Sequence, residues 1–358
     1  MDGTYWDESA CYAFSTEGID RLEAVTEELH RLCLAAVDVV VKEQRMAEFA
    51  IPEAFHEFVA DSWRRRDPTL FGRFDLSWDG KGEPKLLEYN ADTPTALLET
   101  SVIQWHWLED TRPQADQFNS LHEKLMERWR TLKETAPQQP LWFASMKDND
   151  EDEGNTEYLR DTALQAGWDA RSLWIEDLGW DPARGRFVAL DETPVDRIFK
   201  LYPWEWMVRE TFAPHLLAGT TQWIEPAWKM LLSNKALLVV LWELNYGHPN
   251  LLPAYFTPSR FSGEFVKKPL LSREGANVTL NRRLGVIRET GAYGAEGWVY
   301  QGYAPLPAFG TQGGTSEAKR YPVIGSWIVG EAAAGIGIRE DDSPITKDTS
   351  SFVPHYFE

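Results

Sequence analysis

The chain has 358 residues, 43% of them hydrophobic and 26% charged, with a formal net charge of -20 and only two cysteines. That length suits two or three packed parts rather than one small core. The acidity argues against nucleic acid or an anionic membrane as partner, and the cysteine count against a disulfide framework or a Cys-rich zinc site.

The first helix is expected over Ile19–Met46, where Leu22, Val25, Leu29, Leu32, Ala36 and Val40 recur at three- and four-residue spacing. A second begins at Pro52, carries Phe55, Val59 and Trp63, and stops at "RRRDP". The period then changes to two, so "LFGRFDLSW" and "PKLLEYN" read as strands joined across "DGKGE". Thr93 and Pro94 look like a cap and first turn, which starts a helix at "TPTALLETSVIQWHWLED". Phe118, Leu121, Leu125, Trp129 and Leu132 predict another helix before the break at "APQQP".

An α/β-like stretch follows, with strands at "LWFASM", "ARSLWIEDL" and "VDRIFKLYPW" and a helix at "NTEYLRDTALQAG". The rest offers a helix at "NKALLVVLWELN" and strands at "GEFVKKPL", "LGVIRET", "GWVYQGYA" and "YPVIGSWIVG". No internal repeat or low-complexity linker is present. The amino terminus has no secretory signal pattern and no run of about 18 apolar residues occurs, so the chain reads as cytoplasmic. The 17 tryptophans either line a sugar groove or fill cores between parts.

Two constellations carry chemistry. Alternate residues of a strand share a face, so Arg73 and Asp75 point together, as do Glu88 and Asn90. A hairpin centred near Lys81 and Gly82 sets Asp75 opposite Glu88 and Arg73 opposite Asn90. Opposed carboxylates repel unless a cation lies between them, and Mg²⁺ accepts one or two carboxylates together with phosphate oxygens. The same spacing also describes a wet hairpin with ordinary Arg–Asp pairs, or the two carboxylates of a glycoside hydrolase. In the second constellation Lys235 opens a helix, and Lys268 ends a strand before "LLSREGAN". Ser272 and Gly275 there could bring backbone N–H groups to a phosphate, although the pattern is not a Walker A loop. Each lysine could equally be an ordinary solvated residue.

Four segments, "RFDLSWDGKGEPKLLEYNADTPT", "EPAWKMLLSNKALLVVLW", "VKKPLLSREGANV" and "VIGSWIVGEAAAGIGIREDDSPIT", resemble the synthetase module of the glutathionylspermidine synthase family, in the family's order and over nearly the whole chain. The resemblance implies a mixed α+β fold of the ATP-grasp type. It also implies an ATP- and Mg²⁺-dependent acid–amine ligase working through an acyl phosphate on small-molecule acid and amine substrates. Asp75, Glu88 and Asn90 are then the Mg²⁺ ligands and Arg73 the arginine at the transferring phosphoryl group. Lys235 and Lys268 match the ATP-phosphate lysines, Gly275 lies in a loop over the phosphates, Gln301 is near adenine, and Arg339 is near the reacting carboxylate.

Thr93 replaces a serine that contacts the acid substrate in the family, and Lys200-Leu201-Tyr202 replaces Lys-Thr-Trp, which puts glutathione in doubt as substrate. Glu153, with Asp152, falls near the family's substrate-binding acids, or simply in a solvated loop. About 70 residues precede Arg73 and Cys11 has no Cys/His setting, so no amidase domain is expected. The chain is expected to be one module with a metal and substrate part (1–135), an α/β part (136–215) and an ATP-binding part (216–358). A catalytically idle ATP-binding scaffold is the alternative, with the two-carboxylate glycoside hydrolase behind it.

Overall fold

The protein was analysed as a computed structural model that describes residues 4–135, 139–310 and 319–358. Most of the "APQQP" break lies outside the described residues.

The long amino-terminal helix runs Thr16–Lys42 and begins where the Ser15 side chain accepts a hydrogen bond from the Gly18 amide. Its apolar stripe, including Leu22, Leu29, Ala36 and Val40, is fully buried, and Thr26 bonds Ser326 at 2.6 Å in the neighbouring sheet. The second helix forms a turn later than expected, at His56–Arg64, with Pro52 ahead of a short 3₁₀ turn.

Three sheets organise the rest. In the central antiparallel sheet the strands run Ser351–Val353, Ala332–Asp341, Lys319–Val329, Phe71–Ser77, Lys85–Asn90, with Phe309–Gly310 joining Lys319–Val329. A second antiparallel sheet has the order Ala254–Tyr255, Trp298–Gly302, Phe265–Pro269, Thr279–Arg282, Gly285–Arg288. The third is parallel, Ala170–Trp174, Leu141–Ser145, Arg197–Lys200, Gln222–Ile224, with helices Leu121–Glu134 and Asp150–Gln165 alongside. This is the expected α+β architecture. The sheet pairing crosses the sequence lines 135/136 and 215/216: the hairpin Phe71–Asn90 is hydrogen-bonded to Lys319–Val329, and Arg197–Lys200 to Gln222–Ile224.

Two local expectations are corrected. Thr93 and Pro94 do not cap a helix; helical structure starts at Leu97, whose amide donates to Asn155 Oδ1 at 3.0 Å. The acidic run is not a loop but the first turn of helix Asp150–Gln165, capped reciprocally by Asn149 and Asp152. Much of the tryptophan serves the core: Trp129, Trp204 and Trp327 are fully buried, whereas Trp105 and Trp206 are exposed. Among the described residues no helix is long and apolar enough to cross a membrane.

Candidate active site

The hairpin register is the one the alternation predicts: Arg73 faces Asn90, Phe74 faces Tyr89 and Asp75 faces Glu88, with an irregularity just after Asp75. Phe74 and Tyr89 stack at 3.8 Å on the buried face, which leaves the polar quartet on the other. Arg73 Nε donates to Asp75 Oδ1 at 2.8 Å and its Nη1 to the Thr95 carbonyl at 2.8 Å. Asn90 Nδ2 donates to Asp75 Oδ2 at 3.2 Å. Glu88 instead pairs with Lys235 at 3.1 Å. The two opposed carboxylates are therefore neutralised by separate cations.

Lys235 sits at the start of helix Ala236–Leu244 and also donates to the Ser272 carbonyl at 2.6 Å. Lys268, on strand Phe265–Pro269, donates to the Leu87 carbonyl at 2.8 Å. Burial pushes the Glu88 carboxyl up, but Lys235, Lys268 and Arg73 together outweigh it and hold the group down at about 2. Burial lowers Lys268 to about 8, with Glu88 opposing and Lys235 reinforcing the shift. Gln301 is buried, and its Nε2 donates to the Leu86 carbonyl at 2.9 Å.

These groups wall a cavity of about 110 Å³ between the two antiparallel sheets. Its far side is the loop with Ser272 and Gly275, together with Tyr303, Ile345 and Thr346. Gly275 has φ +69°, and a Cβ there would come within 2.6 Å of the Thr346 carbonyl oxygen and of Ile345, so a side chain would push the loop off the cavity. Val266, Val278, Leu280 and Ile345 form a small separate apolar cluster at this closure.

A second cavity, of about 30 Å³, shares Asp75, Val323 and Thr346 with the first and adds Arg73, Trp327 and Arg339. Arg339, at the register position of Val323, donates from Nη2 to the carbonyls of Lys347 and Asp348. Burial lowers its pKa, with repulsion from Arg73 adding to the effect. The floor is kept low by glycine: a Cβ on Gly325 would lie 2.8 Å from Arg73 Cδ, and one on Gly337 2.4 Å from Thr100 Oγ1. Three buried donors at these two cavities, Ser272 Oγ, Trp327 Nε1 and Arg339 Nε, have no hydrogen-bond partner among the described residues. Unpaired donors beside a concentration of cations suit an anion-rich ligand.

The family model described as "Glutathionylspermidine synthase preATP-grasp" matches residues 1–358. The chain belongs to the glutathionylspermidine synthase preATP-grasp family. It is 42% identical, over 99% of its own length and 92% of the other's, to a Haemophilus influenzae protein named "Putative acid--amine ligase". It is 27% identical to Crithidia fasciculata trypanothione synthetase over 89% of this chain and 52% of that one. It is also 27% identical to the Escherichia coli bifunctional glutathionylspermidine synthetase/amidase, over 96% and 58%. The chain thus spans little more than half the length of the latter two relatives. Among solved structures, a glutathione synthetase like-effector from Globodera pallida superposes with a TM-score of 0.61 at 13% identity, covering 97% of this chain and 88% of that one, a likeness of fold. The fold is of the ATP-grasp type, and the named relatives of this preATP-grasp family member are carbon–nitrogen ligases.

In this family member, Arg73, Asp75, Glu88, Asn90, Lys235, Lys268, Gly275, Gln301 and Arg339 gather at the paired cavities. Thr93 stands at the edge, where its Oγ1 accepts from Arg273 Nη1 at 2.9 Å. Glu153 is not part of the group: it lines a different cavity, against the parallel sheet. Its neighbours Glu151 and Asp152 line neither cleft cavity but act on its charges, Glu151 on Arg73 and Arg339, and Asp152 lies close enough to Arg273 and Glu274 to feel both. Burial, with Glu151 adding to it, raises Asp152 to about 6.

Sequence reasoning did not single out Arg273, which ties the loop to Thr93 and to Glu205 at 3.1 Å, or the buried Lys200–Asp92 pair at 2.6 Å. Asp92 also accepts from the Trp204 amide, which fixes the chain just past Asn90. The alternating glycines of "GIGIR" were the available signal for close approach.

Proposed function

We infer that the chain is an ATP-dependent ligase that joins a carboxylic acid, a peptide or amino acid, to an amine. One observation carries the reading: in a chain of net charge -20, the paired cavities are lined by Arg73, Lys235, Lys268 and Arg339 against only Asp75 and Glu88. A protein so acidic gathers cations at one place to hold a polyanion. The names of its ligase relatives point the same way.

On this reading Lys235 and Lys268 hold the ATP phosphates beneath the Ser272–Gly275 loop, and Gln301 lies toward the base. Arg73 and Arg339 orient the acid and the γ-phosphoryl group for in-line attack. The carboxylate takes the phosphoryl group and ADP leaves. The amine then attacks the acyl phosphate, losing a proton, and phosphate leaves as the amide forms. Water must be excluded meanwhile, which the apolar closure around Ile345 serves.

Among the described residues no three of His, Cys, Asp and Glu converge, so a metal here draws on Asp75, Glu88, the Asn90 amide oxygen and oxygens from outside the protein. That hard-oxygen set fits Mg²⁺, which would neutralise charge on the phosphates. The glycoside hydrolase reading has less support from the same groups, because Lys235, Lys268 and Arg73 hold the Glu88 carboxyl ionised, which disfavours it as the proton-donating acid.

The test is equilibrium binding of ATP with and without Mg²⁺ to the intact chain and to Lys268→Met. Mg²⁺-dependent binding weakened at least about tenfold by the substitution is expected. Absence of nucleotide binding under every metal condition would exclude the reading.

A further inference from the structure

The loop that follows strand Phe265–Pro269 closes the far side of the larger cleft cavity with Ser272 and Gly275, yet Arg273 between them lines neither cleft cavity. Packing does little to hold this loop. From Arg273 to Asn277 no residue is buried, and Glu274 takes φ +51°, a left-handed value that a glutamate rarely adopts unaided. Its Ala276 amide bonds the Arg273 carbonyl at 2.8 Å and its Val278 amide the Gly275 carbonyl at 3.1 Å, both local turn contacts. Where the loop sits is therefore decided by polar contacts with the rest of the chain.

Arg273 makes the widest of these contacts. Its Nε and Nη2 donate to Glu205 Oε1 at 3.2 and 3.1 Å, and its Nη1 donates to Thr93 Oγ1 at 2.9 Å. Glu205 belongs to the short helix Trp204–Met207, its side chain 11% exposed, and Arg273 is the one cation paired with it among the described residues. Thr93 stands in the segment that runs from Asn90 to Thr95, which is gripped on either side of it. Asp92 is held by Lys200 and the Trp204 amide, and the Thr95 carbonyl by Arg73 Nη1. A planar guanidinium can serve two acceptors in different directions at once, which an ammonium on a flexible stem does poorly. Arg273 thus ties the loop to the junction that carries Asn90 and holds Arg73.

We propose that Arg273 is a positioning residue that latches this loop shut over the nucleotide phosphates through Glu205 and Thr93, and so couples closure of the phosphate site to the segment carrying Asn90. What lies beneath the loop rests on the ATP-dependent reading above; the latch itself needs no ligand.

The test joins amide hydrogen exchange of the intact chain without nucleotide to calorimetric titration with ATP and with AMP in the presence of Mg²⁺. Arg273→Ala and Glu205→Ala should each speed exchange at Ala276 and Val278 at least about tenfold. The double variant should be no faster than the faster single one, because both substitutions remove the same pair. Exchange in helix Leu121–Glu134 should stay at the wild-type rate, which separates a latch from a general loss of stability. Both variants should bind ATP at least about tenfold more weakly and AMP, which lacks the β- and γ-phosphates, as the wild type does. Glu205→Ala separates the latch from direct contact. If Arg273 acted by touching phosphate itself, freeing it from Glu205 would leave ATP binding unchanged or tighter, and that result overturns the proposal. Loop exchange unchanged in both variants overturns it equally. A wild-type chain that binds no ATP would overturn the phosphate role together with the ligase reading; loop exchange tells the two failures apart, since it responds to the latch with no nucleotide present.

Discussion

Asp75 and Asp92 carry the same carboxylate in opposite circumstances. Asp75 lines the cleft, its side chain 17% exposed, and answers to Arg73 and Asn90. Asp92 is 1% exposed and locked to Lys200, itself wholly buried. Asp75→Ala should therefore lower Mg²⁺-dependent ADP formation by about a hundredfold or more while costing no more than about 1–2 kcal/mol of stability. Asp92→Ala should cost about 3–5 kcal/mol, because it strands a buried ammonium. Paired activity assays and denaturant melts check this; equal losses of activity and stability for Asp75→Ala would return the hairpin to a structural role.

Lys268 gives a pH signature. Its value in the folded chain, about 8, lies below the ordinary 10.5. The unfolded chain holds that proton between these values and the folded chain does not, so this group costs stability below about pH 8 and the cost is relieved as pH rises toward 10.5. Bound phosphate would restore the charge. ATP binding should then take up a proton above about pH 8 and weaken by up to about tenfold per pH unit. Calorimetry in buffers of different ionisation heat measures the proton; a flat profile would remove Lys268 from the phosphate site.

At the scale of elements, the floor of the cleft depends on strands that come close because they lack side chains. Gly337→Ala puts a methyl 2.4 Å from Thr100 Oγ1 and should cost about 1–3 kcal/mol along with activity. Thr100→Ala in the same chain should recover much of both, as melting and turnover of the double variant would show. The hairpin was legible in the sequence because a period of two fixes both face and register once the turn is known. Strand Ala332–Asp341 was not, since "AAAGIGI" is buried from Ala333 to Ile338 and offers no alternation to read. The helix start was misplaced for a different reason. The partner of the Leu97 amide is Asn155, far along the chain, and a cap supplied by tertiary contact leaves no local signal. Glu153 lines a different cavity, because sequence proximity to Asp152 does not say which side of a helix a residue takes.

In the whole molecule the cleft lies where two antiparallel sheets meet, and its walls come from near both ends of the chain: Arg73 and Asp75 from one, Arg339 and Thr346 from the other. From spacing alone each lysine could be an ordinary solvated residue, and only the family resemblance paired them at one phosphate site; their convergence is a property of the fold. A ligand that bridges the sheets should stabilise the whole, and ATP with Mg²⁺ at about 100 times its dissociation constant should add about 2.7 kcal/mol. A thermal shift that appears only when both are present is the expected result.

The most direct measurement of the central claim is an assay of the wild-type chain, beside Asp75→Ala, with ATP, Mg²⁺ and a panel of amino acids and peptides crossed with amines and polyamines. ADP and amide product are quantified together by mass spectrometry. The account predicts, for the right pair, ADP and amide in equal amounts, both dependent on Mg²⁺ and both lost in the variant. Amide formation without ADP, or ADP release that Asp75→Ala leaves unchanged, would contradict it.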